Sequence, residues 1–218
     1  AVSNGGVAYC TTVPNITITC SSFHSNVASS AGIIYIFAMS SDPLPIVFMN
    51  KKSNYTNSQA YDIGGSIQIQ TKAKAPCIVT NFGVIFIENR GHKGGVMGIS
   101  GCQTVKTFES IIMRNRGRSK GGGFYFLTCG TIVILNTQFM SNEGLNGGAI
   151  YLEKCSAFIA LNCLFIENRA HGKSNNAFTV KGLGGAIRIH SVTLVNVTSS
   201  MFLNNAAIAG GAMYIFHV

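Results

Sequence analysis

Short apolar strands recur along this chain, each opened by a pair of small residues. The pairs are Gly5-Gly6, Ala31-Gly32, Gly64-Gly65, Gly94-Gly95, Gly121-Gly122, Gly147-Gly148, Gly184-Gly185 and Gly210-Gly211, spaced by 26, 33, 30, 27, 26, 37 and 26 residues. Two and four residues past each pair the chain is apolar: Ile34/Ile36, Ile67/Ile69, Met97/Ile99, Phe124/Phe126, Ile150/Leu152, Ile187/Ile189 and Met213/Ile215. Strict alternation marks a strand with one buried face. No hairpin partner lies nearby, so each copy must pair in parallel with the next. A coil of about 26 residues that closes on itself and rises about 4.8 Å is a parallel β-helix rung. The expectation is an all-β chain, one domain over 1–218, with about eight rungs.

A second strand family precedes the box Phe-x-x-Asn, as in Thr131–Leu135, Ala157–Leu161 and Thr193–Val197. The box predicts two interior ladders. Phe23, Phe48, Phe86, Phe139, Phe165 and Phe202 form one, with Ile112 replacing Phe in one repeat. Asn26, Asn89, Asn115, Asn142, Asn168 and Asn205 form the other, with Lys51 standing where Asn is expected. Stacked amides can hydrogen-bond along such a ladder, and Asn tolerates the left-handed backbone that corners need. The residue after Phe is also apolar (Ile87, Met140, Ile166, Leu203), so a corner is expected inside the box. Residues 49–63, 70–80 and 169–183 read as insertions.

Composition narrows the class. Charged residues are 11% of the 218, and no apolar run is long enough for a transmembrane helix. The start Ala1-Val-Ser-Asn lacks the features of a signal peptide. The repeat runs to both termini, which predicts a segment of a longer protein or filament that meets other copies or flanking rungs end to end. Net charge is +9, from 16 basic and 7 acidic residues, which suits an anionic partner such as glycan, nucleic acid or membrane surface, or simply keeps the chain in solution. Cys102, Cys129 and Cys155 lie one per repeat, and Cys77 precedes its repeat's box. An inert interior column is the first reading. Neighbouring rungs also meet the distance a disulfide needs, so some can be oxidised in an extracellular setting. No CxxC pair points to a metal. Sequons for N-glycosylation occur at Asn15, Asn54 and Asn196, and Asn54 is read as the best acceptor because it lies in a polar insertion.

The motif pair Phe139–Asn142 with Gly147–Ile150, Phe165–Asn168 with Gly184–Ile187, and Phe202–Asn205 with Gly210–Met213 resembles the repeats of chlamydial polymorphic outer membrane proteins; Phe86–Asn89 with Gly94-Gly95-Val96 is close. The match covers about residues 82–216. The resemblance implies a right-handed parallel β-helix displayed outside the cell, in adhesion or as a structural stalk. The architecture is also that of pectate lyases, polygalacturonases and uronate epimerases, and fold alone does not choose among these functions.

Candidate chemistry changes the picture little. Lyases of this shape need clustered carboxylates for calcium, and glycosidases need a carboxylate pair. The acidic residues Asp42, Asp62, Glu88, Glu109, Glu143, Glu153 and Glu167 are scattered, and Glu88 and Glu167 share a box position three rungs apart. No catalytic residue, cofactor or metal site is assigned; a polysaccharide lyase or hydrolase is the lesser alternative. Two outer stripes stand out. Tyr9, Tyr35, Tyr125, Tyr151 and Tyr214 share the outward position three residues past the pair, with Gln68, Gly98 and Arg188. Aromatics in a row can dock sugars or protein, although Tyr is also an ordinary exposed strand residue. After the Asn corner come Arg90, His92, Lys93; Arg114, Arg116, Arg118, Lys120; and Arg169, His171, Lys173. Stacked as one ridge, they suit anionic glycans, or merely keep the edge solvated. No nucleic-acid recognition motif accompanies the charge. The expected function is an extracellular or cell-surface structural or adhesive segment that contacts glycans or protein partners, the alternative being the repeating subunit of an extracellular filament.

Overall fold

The computed structural model describes residues 6–11, 15–38, 45–71, 76–172 and 182–217. Every element among them is a strand, and every named strand pairing is parallel. The chain winds as a right-handed β-helix with four sheets per turn. Sheet I follows the glycine pairs and holds eight strands, from Ala8–Thr11 to Met213–Phe216. Sheet II holds seven, from Asn15–Thr19 to Leu194–Thr198; sheet III holds seven, from Ser22–His24 to Met201–Leu203; sheet IV holds six short ones, from Val27–Ala28 to Arg169–Ala170. Among the described residues no helix is long and apolar enough to cross a membrane.

The core is a stack of like side chains. Ile67, Ile69, Phe124, Phe126, Ile150, Leu152, Ile187 and Ile189 are buried from sheet I, facing Phe48, Val79, Val105, Ile132 and Phe158 of sheet II. The aromatic ladder of sheet III runs Phe23, Tyr55, Phe86, Ile112, Phe139, Phe165, Phe202. Ring centroids stack at 4.9 Å on both sides of Tyr55, and at 5.0 and 4.7 Å around Phe165. Where Ile112 interrupts it, Phe124 reaches across from sheet I and meets Phe86 and Phe139 edge-on at 6.3 and 5.4 Å. The space that a missing ring leaves is thus filled from the opposite wall, as close packing demands.

One repeat is corrected by the register. Phe48 pairs with Ile16 and Val79 in sheet II, and the ladder position belongs to Tyr55. Ser58 replaces Asn three residues later, and Lys51 is an ordinary exposed end of a sheet II strand. A hydroxyl explains the swap: Tyr55 donates to Asn50 Oδ1 at 3.1 Å inside the core, and Asn50 continues to Asn81 (3.3 Å) and Asn81 to Thr107 (3.4 Å). Consequently residues 49–63 are no insertion; strands Asn54–Thr56 and Gln59–Ala60 lie there in register. The extra length of that turn falls between Ala38 and Ile46. Of the other two segments, 72–75 and 173–181 lie outside the described residues, as does Gly5.

The corner of the box sits at its third residue, not at Asn. Ser25, Asn57, Glu88, Arg114, Ser141, Glu167 and Asn204 all have left-handed backbone, φ between 51° and 59°. That conformation costs an ordinary residue about 1–2 kcal/mol, so something must hold each one. At five of the seven the following Asn does so by turning inward. Asn142 Nδ2 donates to the Ile112 carbonyl (2.8 Å) and to Asn168 Oδ1 (3.0 Å), while its Oδ1 accepts from the backbone N–H and Nδ2 of Asn115, both at 3.0 Å. The pattern repeats at Asn89, Asn115, Asn168 and Asn205. At the glycine corner, Gly147 takes φ 63°, and a Cβ on Gly148 would overlap the Gly185 carbonyl oxygen of the next rung.

Asn142→Leu keeps the branching of the side chain but removes four buried hydrogen bonds, leaving the Asn115 backbone N–H without its partner. The expected loss of stability is about 2–4 kcal/mol, read as a lower urea midpoint. A change under about 0.5 kcal/mol, the ordinary range for a surface change, rules the ladder out as the corner's support.

Candidate binding surfaces

The outward faces of sheets I and IV carry the candidate residues. On sheet I the position past the glycine pair is in register from Tyr9 through Tyr35, Gln68, Gly98, Tyr125, Tyr151 and Arg188 to Tyr214. An exposed aromatic stripe was the expectation; the structure exposes only its end. Tyr9 is 49% exposed, whereas Tyr125 and Tyr151 are each 3% exposed. Their cover comes from the turn before each pair. Lys120 Nζ lies 4.6 Å from the Tyr151 ring centre and 5.6 Å from that of Tyr125, and Lys93 Nζ lies 5.9 Å from Tyr125. Glu153 anchors Lys120 at 2.6 Å, and Arg188 sits between Tyr151 (5.2 Å) and Tyr214 (6.0 Å). Ile63 fills the space over Gly98, so any side chain there would collide with it. A cleft of about 100 Å³ remains between Gln68, Lys93, Tyr125 and Leu127.

The cations after the Asn corner do not form one ridge; the β-helix sorts them into separate lines. Arg90, Arg116, Glu143 and Arg169 form one column on the outer edge of sheet IV, with Gln59 below and Ala206 above. Arg114 belongs to the corner column with Glu88 and Glu167, and its Nε meets Glu88 at 3.2 Å. Arg116 approaches Glu143 at 3.8 Å. Arg118 lies over the Tyr61 ring at 5.9 Å. Lys93 and Lys120 pair with one another and turn onto sheet I. His171 is exposed, and Lys173 lies outside the described residues. The edge is therefore a mixed-charge array in which five exposed arginines (Arg90, Arg114, Arg116, Arg118, Arg169) face three glutamates (Glu88, Glu143, Glu167). It borders a groove of about 300 Å³ lined by Ser141, Glu143, Glu167, Arg169, Asn204 and Ala206. Guanidinium groups of this kind offer planar forks of donors to an anion.

The sequon asparagines are exposed: Asn15 and Asn196 on sheet II, and Asn54 on a sheet III strand rather than in an insertion. The cysteines divide. Cys77 and Cys102 are joined by a disulfide across two rungs, with Cα atoms 4.6 Å apart. Cys10, Cys20, Cys129, Cys155 and Cys163 are free. Among the described residues no group of three or more His, Cys, Asp or Glu side chains converges as a metal site would require.

Burial pushes the Tyr125 phenol well above its ordinary value of 10, and the Glu153 charge adds to the rise; burial does the same to Tyr55 against a smaller opposing effect of the Asn50 hydrogen bond. Their contribution to stability is complete below the unfolded value near pH 10. Above it the unfolded chain releases protons that the folded one retains. The tyrosine contribution is therefore expected to be flat from pH 7 to 9 and then to fall, by about 1.4 kcal/mol per pH unit per tyrosine. Urea midpoints across pH 8–11 test this: Tyr125→Phe should make the alkaline fall shallower, and an unchanged slope would contradict the assignment.

No known protein-family model, curated protein or solved structure matches the chain.

Proposed function

We propose that this chain is an extracellular structural rod segment whose arginine-bearing edge adheres to anionic glycans or acidic protein surfaces. The observation that carries the reading is the outer edge of sheet IV, where Arg90, Arg116, Arg118 and Arg169 remain exposed on a rigid scaffold in a chain of net charge +9. Rung spacing of about 4.8 Å presents them as a regular array, and a polyanion can bridge several at once. Partners of this kind bind with salt-sensitive affinity. The Cys77–Cys102 disulfide supports an oxidising location, and exposed sequon asparagines suit a glycosylated surface.

The test is binding to immobilised heparin against an uncharged dextran, over 50–500 mM salt. The triple change Arg90→Gln, Arg116→Gln, Arg169→Gln should weaken heparin binding about tenfold, taking about 0.5 kcal/mol for each exposed charge. Equal retention by the triple variant, or equal binding to dextran, defeats the adhesive reading.

A second reading, the filament segment, has its own support. On the last rungs Leu194, Met201, Leu203, Ile208, Ile215 and Phe216 are between 43% and 62% exposed, and the strand edges there are unpaired among the described residues. Unpaired edges with apolar neighbours favour addition of a further rung. Sedimentation velocity should show end-to-end association that rises with concentration and is weakened by Leu203→Lys; a monodisperse monomer at millimolar concentration opposes it.

A further inference from the structure

The inner corner between sheets I and II carries Cys102, Cys129 and Cys155 on successive rungs. Two residues beyond them Thr104, Thr131 and Ala157 pair directly, so the three cysteines are in register. Backbone bonds lock the column: Gly130 N–H donates to the Cys102 carbonyl at 2.9 Å and Ser156 N–H to the Cys129 carbonyl at 3.0 Å. The lower end is already oxidised, since Cys102 is joined to Cys77 of the preceding rung. Cys129 and Cys155 lie two rungs further on and in strict register with each other, whereas Cys77 is offset by one residue from the column. Both are buried, and their thiols bond the carbonyls two residues back, Cys129 to Leu127 at 3.4 Å and Cys155 to Glu153 at 3.5 Å. Adjacent parallel strands lie about 4.8 Å apart, inside the Cα range that a disulfide spans. A groove of about 360 Å³ opens onto the column, lined by Cys102, Thr128, Cys129, Gly130, Lys154 and Ser156.

We propose that Cys129 and Cys155 form a redox-active dithiol site that closes to a second cross-rung disulfide, with a small disulfide of the glutathione type as oxidant entering through this groove. The proposal is independent of the adhesive reading. Cys129, on the groove wall, bonds to one sulfur of the external disulfide, whose sulfur–sulfur bond breaks; the expelled thiol takes the Cys129 proton. The Cys155 sulfur then attacks that of Cys129, breaks the mixed disulfide and expels the second thiol, which takes the Cys155 proton. Two protein thiols become one disulfide, and the reagent is reduced to two thiols. The neighbouring Cys129 thiol holds the Cys155 thiol below its ordinary value, which favours Cys155 as the resolving nucleophile; Cys129 is raised, first by its Cys155 neighbour and then by burial. Closure would staple the fifth turn to the sixth, as Cys77–Cys102 staples the third to the fourth.

The folded full chain is incubated with oxidised glutathione, then denatured, blocked with N-ethylmaleimide and digested with trypsin. Cys163 shares a tryptic peptide with Cys155, so a parallel sample carries Cys163→Ser. The wild-type chain should lose two of its five free thiols, leaving three, and peptide Gly121–Lys154 should appear linked to Cys155–Arg169 in both samples. Cys129→Ser should remove the link. Five surviving thiols, a stable glutathione adduct on Cys129 without the link, or a link that disappears with Cys163→Ser would each overturn the proposal. Because the decisive readings come from the wild-type chain and Cys163→Ser, poor folding of Cys129→Ser leaves the test intact.

Discussion

A coil this tight must turn four times per rung, and each turn takes backbone groups out of the sheet ladders. Burying such groups without partners costs more than any single packing contact returns. The structure answers three of the four corners in the same way, the glycine pairs making the fourth. A left-handed residue makes the turn, and the next side chain points inward to bond the carbonyl two residues back or the corner of the rung below. Asn does this between sheets III and IV. Between sheets II and III the same work falls to Ser21, Ser53, Ser110, Thr137, Cys163 and Ser200, each bonding the carbonyl two residues earlier. Between sheets I and II, Cys129 and Cys155 bond the Leu127 and Glu153 carbonyls.

The partner often comes from the next rung. Asn89, Asn115 and Asn142 each send their backbone N–H to the Asn one rung further on, and Ser21, Val84 and Cys163 send theirs to the hydroxyl above. A corner is therefore complete only when its successor is in place. Nearest-neighbour dependence of this kind is what makes a solenoid cooperative along its axis.

Legibility in the sequence followed chemical uniqueness. Glycine pairs and Phe-x-x-Asn boxes were readable because few other residues fit those places. The hydroxyl corner was not, since Ser, Thr, Cys and even Val84 occupy it in turn. Phe48 misled because an aromatic is welcome in two adjacent sheets, and only the register separates it from Tyr55. The apolar residues after the box Phe point outward at half exposure, so alternation holds where it seemed to fail. For the candidate surfaces, the positions of the tyrosines and arginines were legible, but not their neighbours. Lys120 sits 33 residues before Glu153, and its turn onto the tyrosines depends on how consecutive rungs stack.

The inward ladders leave the outer columns unconstrained by packing, and this is where chemistry can vary. Residues in one outer column meet only their neighbours above and below, at a spacing that never changes. Alternating Arg and Glu along such a column offset one another, as Arg116 and Glu143 do; consecutive arginines, as Arg90 and Arg116, do not. Net field at the edge of sheet IV is then decided by column order rather than by overall charge. The groove beside Glu143, Glu167 and Arg169 lies where the mixed order ends, next to the turn that carries the longest interval between glycine pairs. The positive stretch around Arg90, Arg116 and Arg118 and the carboxylates of that groove are thus separated along the axis, so the sign of the local field changes from rung to rung on one rigid edge.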